Sequence, residues 1–491
     1  MAHLSDAQHA AIADFIPELD RLAVDSMADC KVPGAAVAVV QDGELALAKA
    51  YGHRNIEANL PVTTATQFLI GSITKSFTAT GMALLHNEGR LDWTKPVRDY
   101  IPELRLHDPV ATERVTVRDL LCHQSGLPRH DWVWLPGDRT STELLGVMRH
   151  LEPSRDVRAA WQYNNLCYNV ASLLIERASG QRYDAFVRAR LTDRLGMAVS
   201  FTLDDLETSA DAARPYMVHE EMRLPAIRLP VSVMAAGAIN TSVADLANWM
   251  RLHLGKGEFG GERLLPATLI DALHAPRVLY NTQPEFPEYG DAHYGLGFRS
   301  QSYRGDRLVW HGGGLVGWGA LMTLVPDLGI GVAVLTNRSP SDMPATLTWY
   351  IIDRLSDREP IDWRERFRKR RDKLLAQTQA DRNAREKARH KNTRPAHDLP
   401  EYAGDYEHPA YGIMSIKEHG GALHWSWRGM LATMAHRHYE TFELPEVPDR
   451  LLPDRLAITF LTDREGNIVS LSAPLEPMVK DIVFVRLAAG G

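Results

Sequence analysis

Ser72 and Lys75 stand three residues apart in Gly71-Ser72-Ile73-Thr74-Lys75-Ser76, between an extended-looking run, Thr66 to Ile70, and a segment with helical spacing, Phe77 to Leu85. On a helix that spacing puts two side chains on one face with Cβ atoms about 5–6 Å apart, so a lysine amine can meet a serine hydroxyl. The hydroxyl attacks a carbonyl only when a base takes its proton, and a lysine serves as that base only when burial or another cation holds its pKa well below the free value of about 10.4. A serine on the first helical turn also sits among unpaired backbone N–H groups at the positive helix end, which favour developing negative charge. S-x-x-K alone equally fits a capping serine followed by a surface lysine, so the rest of the chain has to weigh in. Tyr163-Asn164-Asn165 can project a phenol and an amide to one side of a loop entering a helix. His311-Gly312-Gly313-Gly314 follows the strand-like Leu308 to Trp310, with small residues that let a substrate approach the backbone.

The elements that must position these groups are legible in outline. After an acidic amphipathic first helix, Ala35 to Gln41 and Leu45 to Tyr51 flank Asp42-Gly43, a hairpin pair. Helical patterns dominate from Ser72 to Leu195, and strand signals return at Gly297 to Gln301, Leu308 to Trp310, Ala320 to Val325 and Gly331 to Thr336. Strands at both ends with helices between predict an α/β (α+β) fold: one antiparallel sheet closed by both halves of the chain, flanked by helices, with a helical subdomain. Residues 361–398 are dense in charge, with Trp363, Phe367 and Leu374 at helical spacing, and predict a connecting helix docked by a thin stripe. From Leu399 onward, short alternating runs (Gly412 to Lys417, Leu423 to Trp427, His438 to Phe442, Ala457 to Leu461, Ile468 to Leu471, Ile482 to Val485) predict a small antiparallel β-barrel. The expected organisation is therefore a domain over 1–360, a linker over 361–398 and a barrel over 399–491.

Bulk properties narrow the function. The 491 residues carry 55 Lys and Arg against 62 Asp and Glu, and that net negative charge argues against nucleic acid or an anionic membrane as partner. The basic run around Arg364 to Arg371 lacks aromatic interleaving and reads as a solvated linker face. No apolar run approaches the roughly 20 residues of a membrane span and the start lacks a secretory pattern, so a cytoplasmic protein is expected. Cys30, Cys122 and Cys167 fit reduced, inert thiols. His436 and His438 alternate on a predicted strand with no ligand cluster beside them, and His219-Glu220-Glu221 lacks the second histidine of a zinc-protease helix, so neither a metal nor another cofactor is expected.

With Ser72-Ile73-Thr74-Lys75, Tyr163-Asn164-Asn165 and His311-Gly312-Gly313 in that order, the chain resembles the serine hydrolases of the β-lactamase and penicillin-binding-protein superfamily, whose signature is S-x-x-K, Y-x-N and K-T-G or H-x-G. VTVRDLLCHQSGLP (115–128), INTSVADLANWM (239–250), YGLGF (294–298) and GWGALMTLVPDLGIGVAVLTN (317–337) extend the likeness over about residues 15–355. The resemblance implies a β-lactamase/transpeptidase-like fold and an acyl-enzyme on Ser72. It makes Lys75 the activator, Tyr163 a proton relay, and Asn165 the group that orients Lys75 and the substrate. Backbone N–H groups of Ser72 and Gly314 would form the oxyanion hole beside Gly313, and Trp310 and Trp318, flanking the H-x-G segment, become candidate pocket walls along with Trp132 and Trp134. His311 stands where β-lactamases and D,D-peptidases usually carry lysine; a mostly neutral imidazole should weaken capture of a substrate carboxylate and favours an esterase or a D-amino-acid-type peptidase or amidase. EYAGDYEHPAYG (401–412) and HRHYETFEL (436–444) are similar to a lipocalin-like barrel appended to some members, where it limits access to the active site, and one such relative is a large oligomer. The expected partner is a small ester or peptide-like substrate, and a homo-oligomer is compatible with the resemblance. The alternatives are D,D-peptidase or β-lactamase activity and, from another class, a sensor that keeps the scaffold and binds an apolar ligand in its barrel.

Overall fold

The computed structural model describes residues 5–135, 137–218, 222–223, 233–315, 317–445 and 455–488. Its larger elements in the first part of the chain are helix α1 (Asp6–Cys30), strands β1 (Gly34–Gln41), β2 (Glu44–Asn55) and β3 (Leu60–Pro61), and helices α2 (Thr74–Asn87), α3 (Asn165–Ser179) and α4 (Val243–Leu254). Strands β4 (Val278–Asn281), β5 (Tyr289–Tyr294), β6 (Arg299–Tyr303), β7 (Asp306–Leu315), β8 (Trp318–Val325) and β9 (Ile330–Thr336) follow, then helices α5 (Met343–Leu355) and α6 (Trp363–Lys387). The nine strands form one antiparallel sheet in the order β4-β5-β6-β7-β8-β9-β1-β2-β3, so the two ends of the chain meet where β1 pairs with β9. The unbroken apolar run of β1 reflects burial on both faces. Ala35, Val37 and Val39 pack with Phe15, Leu19, Leu347 and Ile351 of α1 and α5, whereas Ala36, Ala38 and Val40 join the core that holds Phe77 of α2 and Trp249 of α4.

Strand β7 differs from its expected extent. It does not stop at Trp310 but runs on through His311 to Leu315, because Gly312, Gly313 and Gly314 stay in register with Leu321, Ala320 and Gly319 of β8. Alternation fades at the glycines, so the strand's end was not visible in the pattern. Helix α6 also departs from expectation. Trp363 and Phe367 dock, but Leu374 is 59% exposed, since the helix leaves the body after its first turns. Its basic residues are engaged: Arg364 pairs with Asp25 and Asp29, Arg366 with Glu288, and Arg371 with Asp342.

The C-terminal part is a nine-stranded, nearly closed barrel: β10 (Gly404–His408), β11 (Gly412–His419), β12 (Ala422–Trp427), β13 (Met430–Thr433), β14 (Ala435–His438), β15 (Thr441–Glu443), β16 (Ala457–Thr462), β17 (Ile468–Ala473) and β18 (Ile482–Arg486). The expected run His438 to Phe442 is instead broken by a turn at Tyr439 and Glu440 between β14 and β15, with Tyr439 at φ 46°. Tyr402, Tyr406, Trp425, Phe442, Phe460 and Phe484 fill the interior, the space an apolar ligand would need.

The sheet approaches the start of α2 with almost no clearance. A Cβ on Gly313 would lie 1.8 Å from the Ile70 carbonyl oxygen, and one on Gly71 (φ +53°) 2.6 Å from the Gly314 nitrogen. Gly313→Ala is therefore expected to destabilise the chain by about 2 kcal/mol or more in denaturant titrations; an unchanged midpoint would show that these two backbones do not touch in solution.

Candidate active site

Ser72 lies in a 3₁₀ turn, Gly71–Ile73, that leads straight into α2, and Lys75 is fully buried on the first turn of that helix. The Lys75 Nζ lies 3.1 Å from Ser72 Oγ, 2.9 Å from Asn165 Oδ1 and 2.7 Å from the Ala236 carbonyl oxygen. The Tyr163 hydroxyl is 2.7 Å from Ser72 Oγ on the other side. These distances suit two arrangements of the same protons. A neutral amine gives its two N–H bonds to the two carbonyl oxygens, which can only accept, and turns its lone pair to the serine O–H while Tyr163 donates to Oγ. Alternatively, an ammonium donates to all three oxygens and a Tyr163 phenolate accepts from Ser72. In both, the Ser72 proton has a base to go to.

The electrostatics fit that sharing. Burial pushes the Lys75 amine below the ordinary lysine range, against the pull of Tyr163 and, more weakly, Asp131. Burial raises the Tyr163 phenol, but the charge and hydrogen bonds of Lys75, with help from Ser72, more than offset it, so the phenol lies below its ordinary range.

Asn164 caps α3 by accepting from the Cys167 N–H, which leaves Tyr163 on the extended side of the cap and Asn165 as the first helical residue. His123 grips this segment on both sides of Tyr163. Its carbonyl accepts from the Gln162 N–H at 2.8 Å, its Nδ1 accepts from the Asn164 N–H at 3.1 Å, and its ring lies 4.4 Å from the Tyr163 ring. Asn165 continues outward, donating from Nδ2 to Asp131 Oδ1 at 3.2 Å.

Ser72, Tyr163 and Gly314 line one cleft of about 710 Å³, together with Arg129, Asp131, Trp132, Trp161 and Arg299. Its remaining wall comes from the barrel segment Leu475 to Met478. The barrel is held there by Glu476, which accepts from the His130 N–H at 2.8 Å, by the Tyr411 hydroxyl 2.7 Å from His130 Nδ1, and by Arg428, which donates to the Trp132 and Val133 carbonyls.

Three expected site residues are placed differently. His311 is buried and does not line the cleft; its Nε2 meets the Tyr294 hydroxyl at 2.9 Å and its Nδ1 the Gly312 carbonyl at 2.6 Å. Burial, with Arg299 and Lys75 nearby, holds it well below its usual range, and one neutral tautomer satisfies both contacts. Its ring therefore offers no donor to a substrate. Trp310 and Trp318 do not line the cleft either. Trp310 is half-buried with the Arg299 guanidinium 5.1 Å from its ring, and Trp318 is buried with Nε1 donating to the Ala213 carbonyl. Of the other tryptophans, Trp132 lines the cleft and Trp134 donates to Asp131. Asp131, Arg129, Arg299, His123 and the 475–478 segment escaped the sequence reading. The available signals were the charged pair directly after QSGLP and the arginine directly after YGLGF. His219-Glu220-Glu221 lies outside the described residues. Among the described residues no three His, Cys, Asp or Glu side chains gather as a metal-ligand set, and burial raises the Cys122 and Cys167 thiols to about 12 and about 11.

Residues 19–356 match the family described as Beta-lactamase, and residues 388–486 match a domain of unknown function, DUF3471. The chain is similar to the unguisins hydrolase ungD' of Aspergillus campestris (strain IBT 28561), 30% identical over 410 residues covering 78% of this chain and 74% of the relative. Among solved structures it is similar to the octameric penicillin-binding protein homologue from Pyrococcus abyssi, with 25% identity and a TM-score of 0.63 over 96% of this chain and 99% of that one. It is also similar to a D-stereospecific amidohydrolase from Streptomyces sp., with 25% identity and a TM-score of 0.54 over 67% of this chain and 94% of that one.

The direction of the Lys75 shift is directly measurable. A side-chain NMR titration of Lys75 is expected to show a midpoint below the free-lysine value of about 10.4; a midpoint at or above it would remove burial as the controlling influence.

Proposed function

The chain belongs to the beta-lactamase family, and we propose that it is a serine hydrolase that forms and then hydrolyses an acyl-enzyme on Ser72, with a peptide-like amide or an ester as substrate. The observation that carries this reading is the convergence of Lys75 Nζ and the Tyr163 hydroxyl on Ser72 Oγ from two sides. Oγ attacks the carbonyl carbon as its proton passes to the Lys75–Tyr163 pair. The developing oxyanion faces the backbone N–H groups of Ser72 and Gly314. Tyr163 returns a proton to the leaving nitrogen or oxygen, and water then attacks the acyl-enzyme along the reverse route. Asn165 orients Lys75 and the substrate carbonyl. The amide arm draws support from the relative named a hydrolase and from the neighbour named a D-stereospecific amidohydrolase.

A second reading has its own observation. Arg299 lines the cleft beside Ser72, donates to the Tyr280 hydroxyl, stacks on Trp161, and has no carboxylate within ion-pair distance among the described residues. It gives the cleft a positive charge that a histidine at 311 does not supply, while Arg129, also in the lining, is paired with Asp131. That charge favours a substrate bearing a carboxylate, as in D,D-peptidase or β-lactamase activity. A non-catalytic sensor on the same scaffold would need neither the nucleophile nor its two bases, and would need room in a barrel that aromatic side chains fill.

Intact-mass spectrometry after a fluorophosphonate probe is expected to show one adduct, on Ser72. Ser72→Ala should lose the adduct and at least about a thousandfold in kcat/KM. Tyr163→Phe should lower kcat by about 10² to 10⁴ with little change in KM. No adduct, or substantial turnover by Ser72→Ala, would end the reading. Comparing D- and L-aminoacyl anilides, p-nitrophenyl esters, peptides with free or amidated C-termini, and a chromogenic cephalosporin separates the substrate classes.

A further inference from the structure

Asn165 serves Lys75 in only one of the two orientations of its amide. Its Oδ1 must face the amine, 2.9 Å away, and its Nδ2 then faces Asp131 Oδ1, 3.2 Å away. A carboxylate only accepts, so an amide turned by 180° would set a carbonyl oxygen against the carboxylate and an NH₂ against the lysine. Asp131 is itself fixed: Trp134 Nε1 donates to Oδ1 at 2.8 Å and Arg129 Nε to Oδ2 at 2.5 Å. The flanking residues His130, Trp132 and Val133 are bonded to Glu476 and Arg428 of the barrel.

We infer that Asp131 is a positioning residue of the hydrolytic centre, whose carboxylate selects the amide orientation of Asn165 and so keeps the Lys75 amine aimed at Ser72 Oγ. The catalytic part of this inference rests on the proposed role of Ser72. Asp131 acts in two separable ways, as an acceptor for Asn165 and as a negative charge near Lys75. The other titratable groups around that amine are Tyr163, Tyr168, Arg129, His123 and His311, with Cys167 behind them. A change at 131 also frees Arg129 from its ion pair with the carboxylate, and an unpaired guanidinium near Lys75 disfavours the ammonium in the same direction. Removing the carboxylate charge takes away a force that favours the ammonium, so Lys75 deprotonates at lower pH.

The test compares Asp131→Asn, which keeps an acceptor and loses the charge, with Asp131→Ala, which loses both. Folding of each is checked by thermal melts. Asp131→Ala is expected to acylate with the fluorophosphonate about 10- to 100-fold more slowly, whereas Asp131→Asn should retain most of the plateau rate, with its pH–rate limb moved to lower pH. Asn165→Asp should be slow because it sets two carboxylates against each other and a charge beside Lys75, and adding Asp131→Asn should recover the part of the loss that comes from the facing carboxylates. A merely structural role predicts equal losses for Ala and Asn, no limb shift and no recovery in the double variant, and that pattern would overturn the inference. The Lys75 NMR titration in Asp131→Asn needs no turnover: a midpoint lower than in the parent is expected, and an unmoved midpoint overturns the inference. An absent Ser72 adduct in the parent chain would sink the functional reading while this titration still decides the placement of Asp131.

Discussion

The structure depends on keeping one amine out of water without leaving it unpartnered. Lys75 is fully buried, and an isolated ammonium in that position would be expelled or neutralised. Three oxygens meet it instead, and each comes from a different place: Ser72 on its own turn, Asn165 at the start of α3 and the Ala236 carbonyl. Holding three elements around one atom is the task of the surrounding core. That explains why α2 is buried from Thr74 to Leu85 and why β7 carries glycines where it passes the Ser72 turn.

The barrel belongs to this arrangement rather than standing apart from it. Leu475 to Met478 close one side of the cleft, and Glu476 and Arg428 tie the barrel to the loop that carries Asp131. Arg428 also pairs with Asp138, and Arg139 donates to the Ala410 carbonyl, so directional polar bonds accompany the packing of Trp132 against Trp427. A polar seam of this kind fixes register more than it adds stability, because every buried donor must find its acceptor. Access to Ser72 and the posture of the Asp131 loop are thus set by the same contact.

The cleft's charge is likewise distributed. The H-x-G histidine turns inward to Tyr294 and Gly312, and the cations that face the cleft are Arg129 and Arg299. Arg299 rests among aromatic rings, with Trp161, Tyr280, Tyr294 and Trp310 at 5.0 to 6.0 Å. Such a guanidinium keeps most of its N–H groups for whatever enters.

The order of the chemistry was written locally and could be read locally. Ser72 and Lys75 share a helix face, Tyr163 and Asn165 flank a capping asparagine, and the apolar runs of β1, β8 and β9 announce a sheet covered on both faces, because these relations span only a few residues. The barrel showed as short alternating strands for the same reason, although the turn at Tyr439 and the glycine-rich end of β7 were misjudged where alternation is weak. Which way the His311 ring points, that Trp310 and Trp318 stay out of the cleft, and that Asp131, Arg299 and a barrel loop over 300 residues further on border the same serine were decided only by tertiary packing. No periodicity records such meetings, since they follow from the closing of β1 onto β9 and the docking of the barrel, contacts between residues far apart in the chain.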